Sequence, residues 1–426
     1  MARADARRSR TRILEAAAAG VGRSTLHRHF ATRVDLMRAL EAPEGLPGGR
    51  LGRVDPLPLE ALHVLDEVPP HLVAEQLVAE ARRVAGVPVA LYVIDVDGSG
   101  LLGVAGAGGE LPGRLEVGLG LGPEIAPDSL PELYAHLHDL LPGCVAAPLW
   151  LRGRATGVLL AVGAARPALE EIARQGALAL EVANRYTDAF EAVRRRRATS
   201  PAAEMQLNLL PGARIARVAG GELAGGLLAS EAVGGDWFDF AENGDGTWLA
   251  IADAAGEGPV AAGRAAVSLG ALRSARRQGL ALSATASTVH RTGRELGDAF
   301  TVSAVLARWH APTSVFSWIP CGHPPPLLVG PGGAVEPLES PDAPPLGEGP
   351  GDRAFRVLER RLRGGERIVL CSDGLLEQGS FGTEGVRAAA GPRRSAAATA
   401  RAVLQAAVGP GRPPQDDAVV LVLAVG

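Results

Sequence analysis

In the C-terminal half of the chain, short apolar runs stop abruptly on carboxylates. Trp248-Leu249-Ala250-Ile251-Ala252 leads into Asp253, and Ile368-Val369-Leu370-Cys371 leads into Ser372-Asp373-Gly374. The order reverses at the end, where Asp416-Asp417 precedes Ala418-Val419-Val420-Leu421-Val422-Leu423. Another carboxylate, Asp236, follows a glycine pair in Val233-Gly234-Gly235-Asp236-Trp237-Phe238-Asp239. Runs that are apolar at successive positions predict strands covered on both faces, and the glycines beside the carboxylates predict turns. Helical spacing is confined to two segments, 258–278 and 282–296. With a hairpin turn at Asn243-Gly244-Asp245-Gly246, the pattern predicts an α+β layered fold for residues 212–426.

The N-terminal half reads differently. A helix is predicted over 71–85, with strands at 89–95, 101–105, 116–119, 144–151 and 157–162. Arg152-Gly153-Arg154 forms the tip of the last hairpin. This makes residues 59–185 a mixed α/β domain. Helical periodicity resumes at Ala168 and runs through Leu178, Val182, Ala189 and Phe190 into Arg194-Arg195-Arg196-Arg197. A second helix over 203–210 ends at Pro211, so 186–211 is a helical linker. Residues 43–58 are rich in proline and glycine and form a further linker.

Aspartates at strand ends, far apart in sequence, are what a fold needs to bring hard oxygen ligands together on Mg²⁺ or Mn²⁺. Singly, each has an ordinary explanation as a turn or capping residue. Capping does not explain the ordered group.

Composition narrows the choice. The chain has 426 residues, 47% hydrophobic and 21% charged, with a net charge of -4. That length implies more than one domain, and the charge argues against a general nucleic-acid binder. No lysine occurs anywhere, so a P-loop or Schiff-base lysine is excluded and phosphate chemistry must rest on metal or arginine. The three cysteines, Cys144, Cys321 and Cys371, lack the spacing of a thiolate zinc site or a disulfide framework. His136 and His138, two apart, point to different sides of a helix and do not make a metal pair. No apolar stretch approaches the ~20 residues that span a bilayer. The arginine-rich start is interrupted by Glu15 and is not read as an export signal. A cytoplasmic protein is the expectation.

The C-terminal motifs resemble the metal-dependent PPM-type serine/threonine protein phosphatases of the SpoIIE/RsbU branch. The resemblance starts at Asn208-Leu209-Leu210-Pro211 and takes in the Asp236 and Asp253 segments. It continues through Cys321-Gly322-His323-Pro324-Pro325-Pro326, Ser372-Asp373-Gly374-Leu375-Leu376-Glu377 and Gln415-Asp416-Asp417-Ala418. It implies a two-sheet α-β-β-α domain and two Mn²⁺ or Mg²⁺ ions whose shared water attacks a phosphoserine or phosphothreonine phosphorus in line. Carried over residue by residue, Asp253 bridges the ions and the Ala254 carbonyl is a ligand. Asp373 and Asp416 complete the second ion, and Asp236 binds metal directly or through water. Asp239 braces the turn, and Gly256, His323 and Asp417 are secondary. Glu257, the order Pro259-Val260, Cys321 and a short segment between Glu377 and Phe381 depart from the family pattern and bear on substrate choice.

Residues 59–185 resemble a GAF sensory domain, which implies a small-molecule ligand or a dimerisation module. Residues 1–42 resemble a TetR-type helix-turn-helix that lacks the helix bracing the recognition helix, which argues against DNA binding. The branch implies a phosphorylated anti-anti-sigma (STAS-type) protein as substrate, and the helix leaving the sensory domain is expected to pair with its copy in a homodimer, with no membrane partner. A TetR-like regulator and an inactive phosphoprotein-binding scaffold are the competing readings.

Overall fold

The computed structural model describes residues 67–163, 166–195, 199–230, 234–297, 299–377, 381–392, 394–408 and 414–426. The expectations for residues 1–42 and 43–58, for Arg196 and Arg197, for Val233 and for 378–380 lie outside the described residues. The described residues belong to one compact unit, Leu59–Gly426.

The mixed domain is built on an antiparallel sheet of β1 (Val89–Ile94), β2 (Gly100–Ala105), β3 (Arg114–Glu116), β4 (Cys144–Leu151) and β5 (Arg154–Val162), in the order β3-β2-β1-β5-β4. Alternation along β1 assigns its two faces. Val89 and Leu91 pack with helices α1 (Val73–Ala85) and α3 (Arg166–Ala183), whereas Ala90, Tyr92 and Ile94 pack with α2 (Leu130–Leu140). The β4–β5 turn has positive φ at both Arg152 (49°) and Gly153 (86°), the left-handed pair that a two-residue hairpin needs. The strand expected at 116–119 lies earlier, over Arg114–Glu116, because Gly118 adopts φ of 62° and ends the extended run. The long helix expected from 168 to 197 is broken: α3 ends at Ala183 and α4 spans Ala189–Arg194. Thr187 Oγ1 accepts from the Ala189 amide at 3.2 Å, a local bond that competes with a continuous helix.

The C-terminal domain has two antiparallel sheets. One contains β8 (Trp237–Asn243), β9 (Gly246–Ala254), β10 (Val302–His310), β11 (Val315–Cys321) and β14 (Leu358–Arg361), in the order β14-β11-β10-β9-β8. The other contains β6 (Ile215–Val218), β7 (Gly221–Leu228), β12 (Leu327–Val329), β13 (Val335–Pro337), β15 (Arg367–Cys371) and β16 (Ala418–Val425), in the order β13-β12-β15-β16-β7-β6. Ile368, Leu370, Val419, Leu421 and Leu423 point inward and share a core with Trp237, Leu249 and Ile251 of the first sheet. Their neighbours Val369, Cys371, Val420 and Val422 point outward beneath Val386, Ala400, Val403 and Leu404 of α9 (Gly382–Ala390) and α10 (Ala396–Val408). Burial on both faces is why β15 and β16 are apolar at every position. Helices α6 (Gly258–Arg277) and α7 (Leu282–Glu295) pack by the first sheet, which gives an α-β-β-α stack. Among the described residues no helix is long and apolar enough to cross a membrane. The cysteines are all free.

The two domains are stapled by one buried carboxylate. Glu124 accepts from Arg154 Nε at 2.6 Å on one side, and from the backbone amides of Arg214 and Ile215, both at 2.9 Å, on the other. Burial pushes the Glu124 carboxyl up, and the Arg154 charge and the amides oppose that shift. Glu124→Ala leaves Arg154 without its close partner in the interior. The variant is expected to lose about 3–5 kcal/mol of stability, read as a lower denaturant midpoint or as a split into two unfolding transitions.

Candidate metal centre

The strand ends named above meet at one end of the two-sheet stack. Asp253 is the penultimate residue of β9, and Ser303 of β10 lies opposite it in register. On the other side Trp237 of β8 pairs with Ala252, so Asp236, one residue earlier, lies next to Asp253 along the ladder. The Ala254 amide donates to the Gly235 carbonyl at 3.2 Å. Gly235 has to be glycine here, because a Cβ would fall on the Ala254 carbonyl oxygen.

The second sheet supplies the rest. Asp373 opens the short helix α8 (Asp373–Leu376) directly after β15, and its carboxylate accepts from the Gly374 amide at 2.8 Å. Ser372 fixes the start of β16 against it. The Ser372 amide donates to the Val419 carbonyl at 3.0 Å, and Ser372 Oγ accepts from the Val419 amide at 3.0 Å. This holds Asp416 beside α8, where a Cβ at Gly374 would come within 3.1 Å of the Asp416 Cβ.

Asp236 and Asp417 are buried, Asp253 is half-buried, and Asp373 and Asp416 are exposed. Burial raises the Asp236 carboxyl well above its ordinary range, and the neighbouring charges of Asp253, Asp417 and Asp373 add to that. Asp253 is pushed up to about 6, first by burial and then by Asp373, Asp416 and Asp417, with a hydrogen bond from Asp236 acting in the opposite direction. The carboxylates therefore feel one another, and none of Asp236, Asp253, Asp373 and Asp416 has an ion-pair partner among the described residues. Asp236 Oδ2 is buried with no hydrogen-bond partner. An orphaned buried acceptor among convergent like charges, with all-oxygen donors, fits a hard divalent cation. Among the described residues no three Asp, Glu, His or Cys side chains already stand in a closed ligating group. The fit rests on the orphaned oxygen and the shared charge.

The secondary residues take distinct places. Asp239 bonds Arg273 at 2.7 Å and Arg276 at 2.8 Å, so it ties β8 to α6 rather than bracing its own turn. His323 is buried, its Nδ1 lies 2.8 Å from Ser303 Oγ, and burial lowers its pKa to about 3. Burial thus favours the neutral ring, which sits against β10 in the turn after β11. Gly256 has φ of 111° and turns the chain into α6. Asp417 accepts from the amides of Ser230 at 2.8 Å and Gly234 at 3.1 Å, bracing the backbone that leads to Asp236. The inward alternation of β16 that sets it apart from Asp416 in sequence is what buries it. Ser372 falls inside the Ser372-Asp373-Gly374 motif without being assigned a role, and Ser303 and Gln206 lie outside the motifs. Gln206 does carry a sequence signal, a polar side chain at apolar helix spacing between Ala202 and Leu210.

Residues 243–426 match the family described as Stage II sporulation protein E (SpoIIE). The match covers less than half of the chain and includes Asp253, Asp373 and Asp416. Among solved structures, the chain is similar to the RsbU and RsbW domains of a Mycobacterium tuberculosis protein, with 25% identity over 50% of this chain and 62% of that one and a TM-score of 0.44. The chain thus spans less than two thirds of that relative. It is similar to the SiaA-PP2C domain of Pseudomonas aeruginosa, with 21% identity over 48% of this chain and 86% of that one and a TM-score of 0.42. It is also similar to the catalytic domain of the serine/threonine protein phosphatase PstP in complex with two manganese ions, with 17% identity over 48% of this chain and 98% of that one and a TM-score of 0.36.

Two outcomes are expected of this site. Gly235→Ala pushes the Ala254 carbonyl aside and should weaken Mn²⁺ binding by about tenfold or more in calorimetric titration, since small displacements around ligands cost 10–100-fold. The second outcome concerns pH. The raised Asp253 carboxyl means that the metal-free fold holds more protons than the unfolded chain between about pH 4 and 6. That group's contribution therefore falls as pH rises through the window. A cation that takes the deprotonated site reverses this loss. Mn²⁺ at about 100 times its Kd should add about 2.7 kcal/mol to the unfolding free energy at pH 7.5 and much less at pH 5.

Proposed function

We propose that residues 212–426 form a metal-dependent protein phosphatase acting on phosphoserine or phosphothreonine, with residues 59–185 as a GAF-like regulatory domain and 186–211 as the coupling linker. The observation that carries this reading is the convergence of Asp236, Asp253, Asp373 and Asp416 from two sheets, with an orphaned acid oxygen among them. The matched family region supports it. Asp253, the Ala254 carbonyl, Asp236, Asp373 and Asp416 would hold two Mn²⁺ or Mg²⁺ ions, with Asp253 the ligand common to both, Ala254 and Asp236 serving one and Asp373 and Asp416 the other. When bound, such a pair activates water at neutral pH and offsets charge on phosphate.

The protein's own groups do the remaining work. Asp417 and Ser372 keep two of the acidic loops from springing apart. Gly235 lets the Ala254 carbonyl approach. His323 stays neutral, so it adds no positive charge to compete with cations. Because no lysine exists in the chain, any direct side-chain contact to substrate phosphate with fixed charge falls to arginine.

The substrate proposed is a phosphorylated anti-anti-sigma protein of STAS type in a partner-switching pathway, in a cytoplasmic setting, with the enzyme acting as a homodimer. The M. tuberculosis relative, which contains RsbU and RsbW domains, supports that context. The test is Mn²⁺-dependent release of phosphate from an aryl phosphate and from a phosphorylated STAS protein. The full chain is expected to be active, and Asp253→Ala or Asp373→Ala should lower the rate by more than about a hundredfold, beyond the loss typical of outer-shell changes. Binding of phosphoprotein without turnover, unchanged in those variants, would make the domain a scaffold instead.

A further inference from the structure

At the rim of the acidic end, a fixed positive charge leans over the loop that follows Asp253. Arg264, in the second turn of α6, donates from Nη1 to the Ala255 carbonyl. Helical side chains lean toward the N-terminus, so a residue at this position reaches back across Ala255-Gly256-Glu257. Gly256 leaves it room, since a Cβ there would stand 3.1 Å from Arg264 Nη1 and 4.0 Å from Val260 Cγ1. Ala255, Gly256 and Glu257 are exposed, and so is Val260, by 60%. Val260 and Arg264 are four apart and therefore neighbours on the helix surface, whereas Ala261, Ala262 and Ala265 are buried.

Other arginines of this domain are already engaged. Arg273 pairs with Asp239 and donates to the Leu209 carbonyl at the end of α5 (Pro201–Leu209), and Arg276 pairs with the same aspartate. Arg308 pairs with Asp245. Arg264, which is partly exposed, has no carboxylate partner among the described residues, and its bond to Ala255 uses one of five guanidinium donors. The Ala254 carbonyl is turned toward Gly235, whereas the next carbonyl is turned toward Arg264. The guanidinium therefore lies one residue outside the acidic cluster, on its solvent side.

A phosphorylated chain entering this site must continue across the rim, where Asp373, Asp416 and Glu257 are exposed and repel carboxylates. Arg264 offers the opposite: a planar donor fork that suits a carboxylate, with Val260 beside it to cover the apolar stem of an acidic side chain. We infer that Arg264 is a specificity-determining residue, which binds an acidic side chain flanking the phosphoserine or phosphothreonine of the substrate protein. The inference rests on the phosphatase reading above and deepens it, by naming the kind of sequence the site prefers.

The experiment measures kcat/KM of the full chain, at saturating Mn²⁺, for two phosphoserine peptides that carry either glutamate or glutamine at the positions flanking the phosphoserine. Wild type should favour the glutamate peptide by about three- to tenfold, between the worth of an exposed ion pair and that of a charged hydrogen bond. Arg264→Gln should bring this ratio close to one, and Arg264→Glu should reverse it. Arg264→Lys keeps the charge without the fork and should fall between wild type and Arg264→Gln. Any loosening of the Ala255 loop affects both peptides alike, so it cancels in the ratio. Arg277→Gln, exposed at the far end of α6, removes the same charge and should leave the ratio as in wild type. A wild-type ratio at or below one, or a ratio unchanged in Arg264→Gln and Arg264→Glu, would overturn the inference and leave the phosphatase reading intact. A wild-type chain that hydrolyses neither peptide nor an aryl phosphate with Mn²⁺ would overturn both.

Discussion

Like charges brought together inside a protein repel, and the C-terminal domain is arranged around that constraint. At a separation of about 4 Å and an effective dielectric of 20, two carboxylates oppose each other by about 4 kcal/mol. The fold gathers Asp236, Asp253, Asp373, Asp416 and Asp417 at one end of its sheets, where burial first and the neighbouring charges second raise the titration of Asp236, Asp253 and Asp417. A structure that keeps such a cluster needs rigid support from elsewhere.

The support is the sandwich itself. β15 and β16 are apolar on both faces because each is clamped between the opposite sheet and an outer helix layer. That clamping fixes where their ends fall, hence where Asp373 and Asp416 stand. Polar fasteners then act at the ends: Ser372 between β15 and β16, Asp417 on the Gly234 loop, and Asp239 on two arginines of α6. Each removes freedom that repulsion would otherwise use. Glu124 applies the same device to the junction with the mixed domain, where one carboxylate is satisfied by an arginine and two amides.

Much of this was legible in the chain. The strands at 248–254, 367–371 and 418–425 follow from apolar runs, and the helices at 258–277 and 282–295 from period. The acidic residues stood out because each interrupted such a run. What could not be read was contact across long separations. That Ser303 lies opposite Asp253, and that Gln206 meets Asp417, depends on sheet register and helix docking, which local pattern does not encode. The single long helix expected over 168–197 failed for a local reason, since Thr187 and Asp188 offer the backbone a competing turn that apolar spacing ignores. Nothing local to Asp239 points to its partners, since Arg273 and Arg276 lie far along the chain.

The central claim is that the acidic end of the sandwich is a cation site. Anomalous diffraction at the manganese edge from crystals grown with Mn²⁺ tests it most directly. The account predicts strong peaks between Asp253 and the Asp373 and Asp416 carboxylates, with Asp236 Oδ2 no longer orphaned. Manganese peaks confined to other surfaces, with Asp253 and Asp373 turned apart, would contradict it.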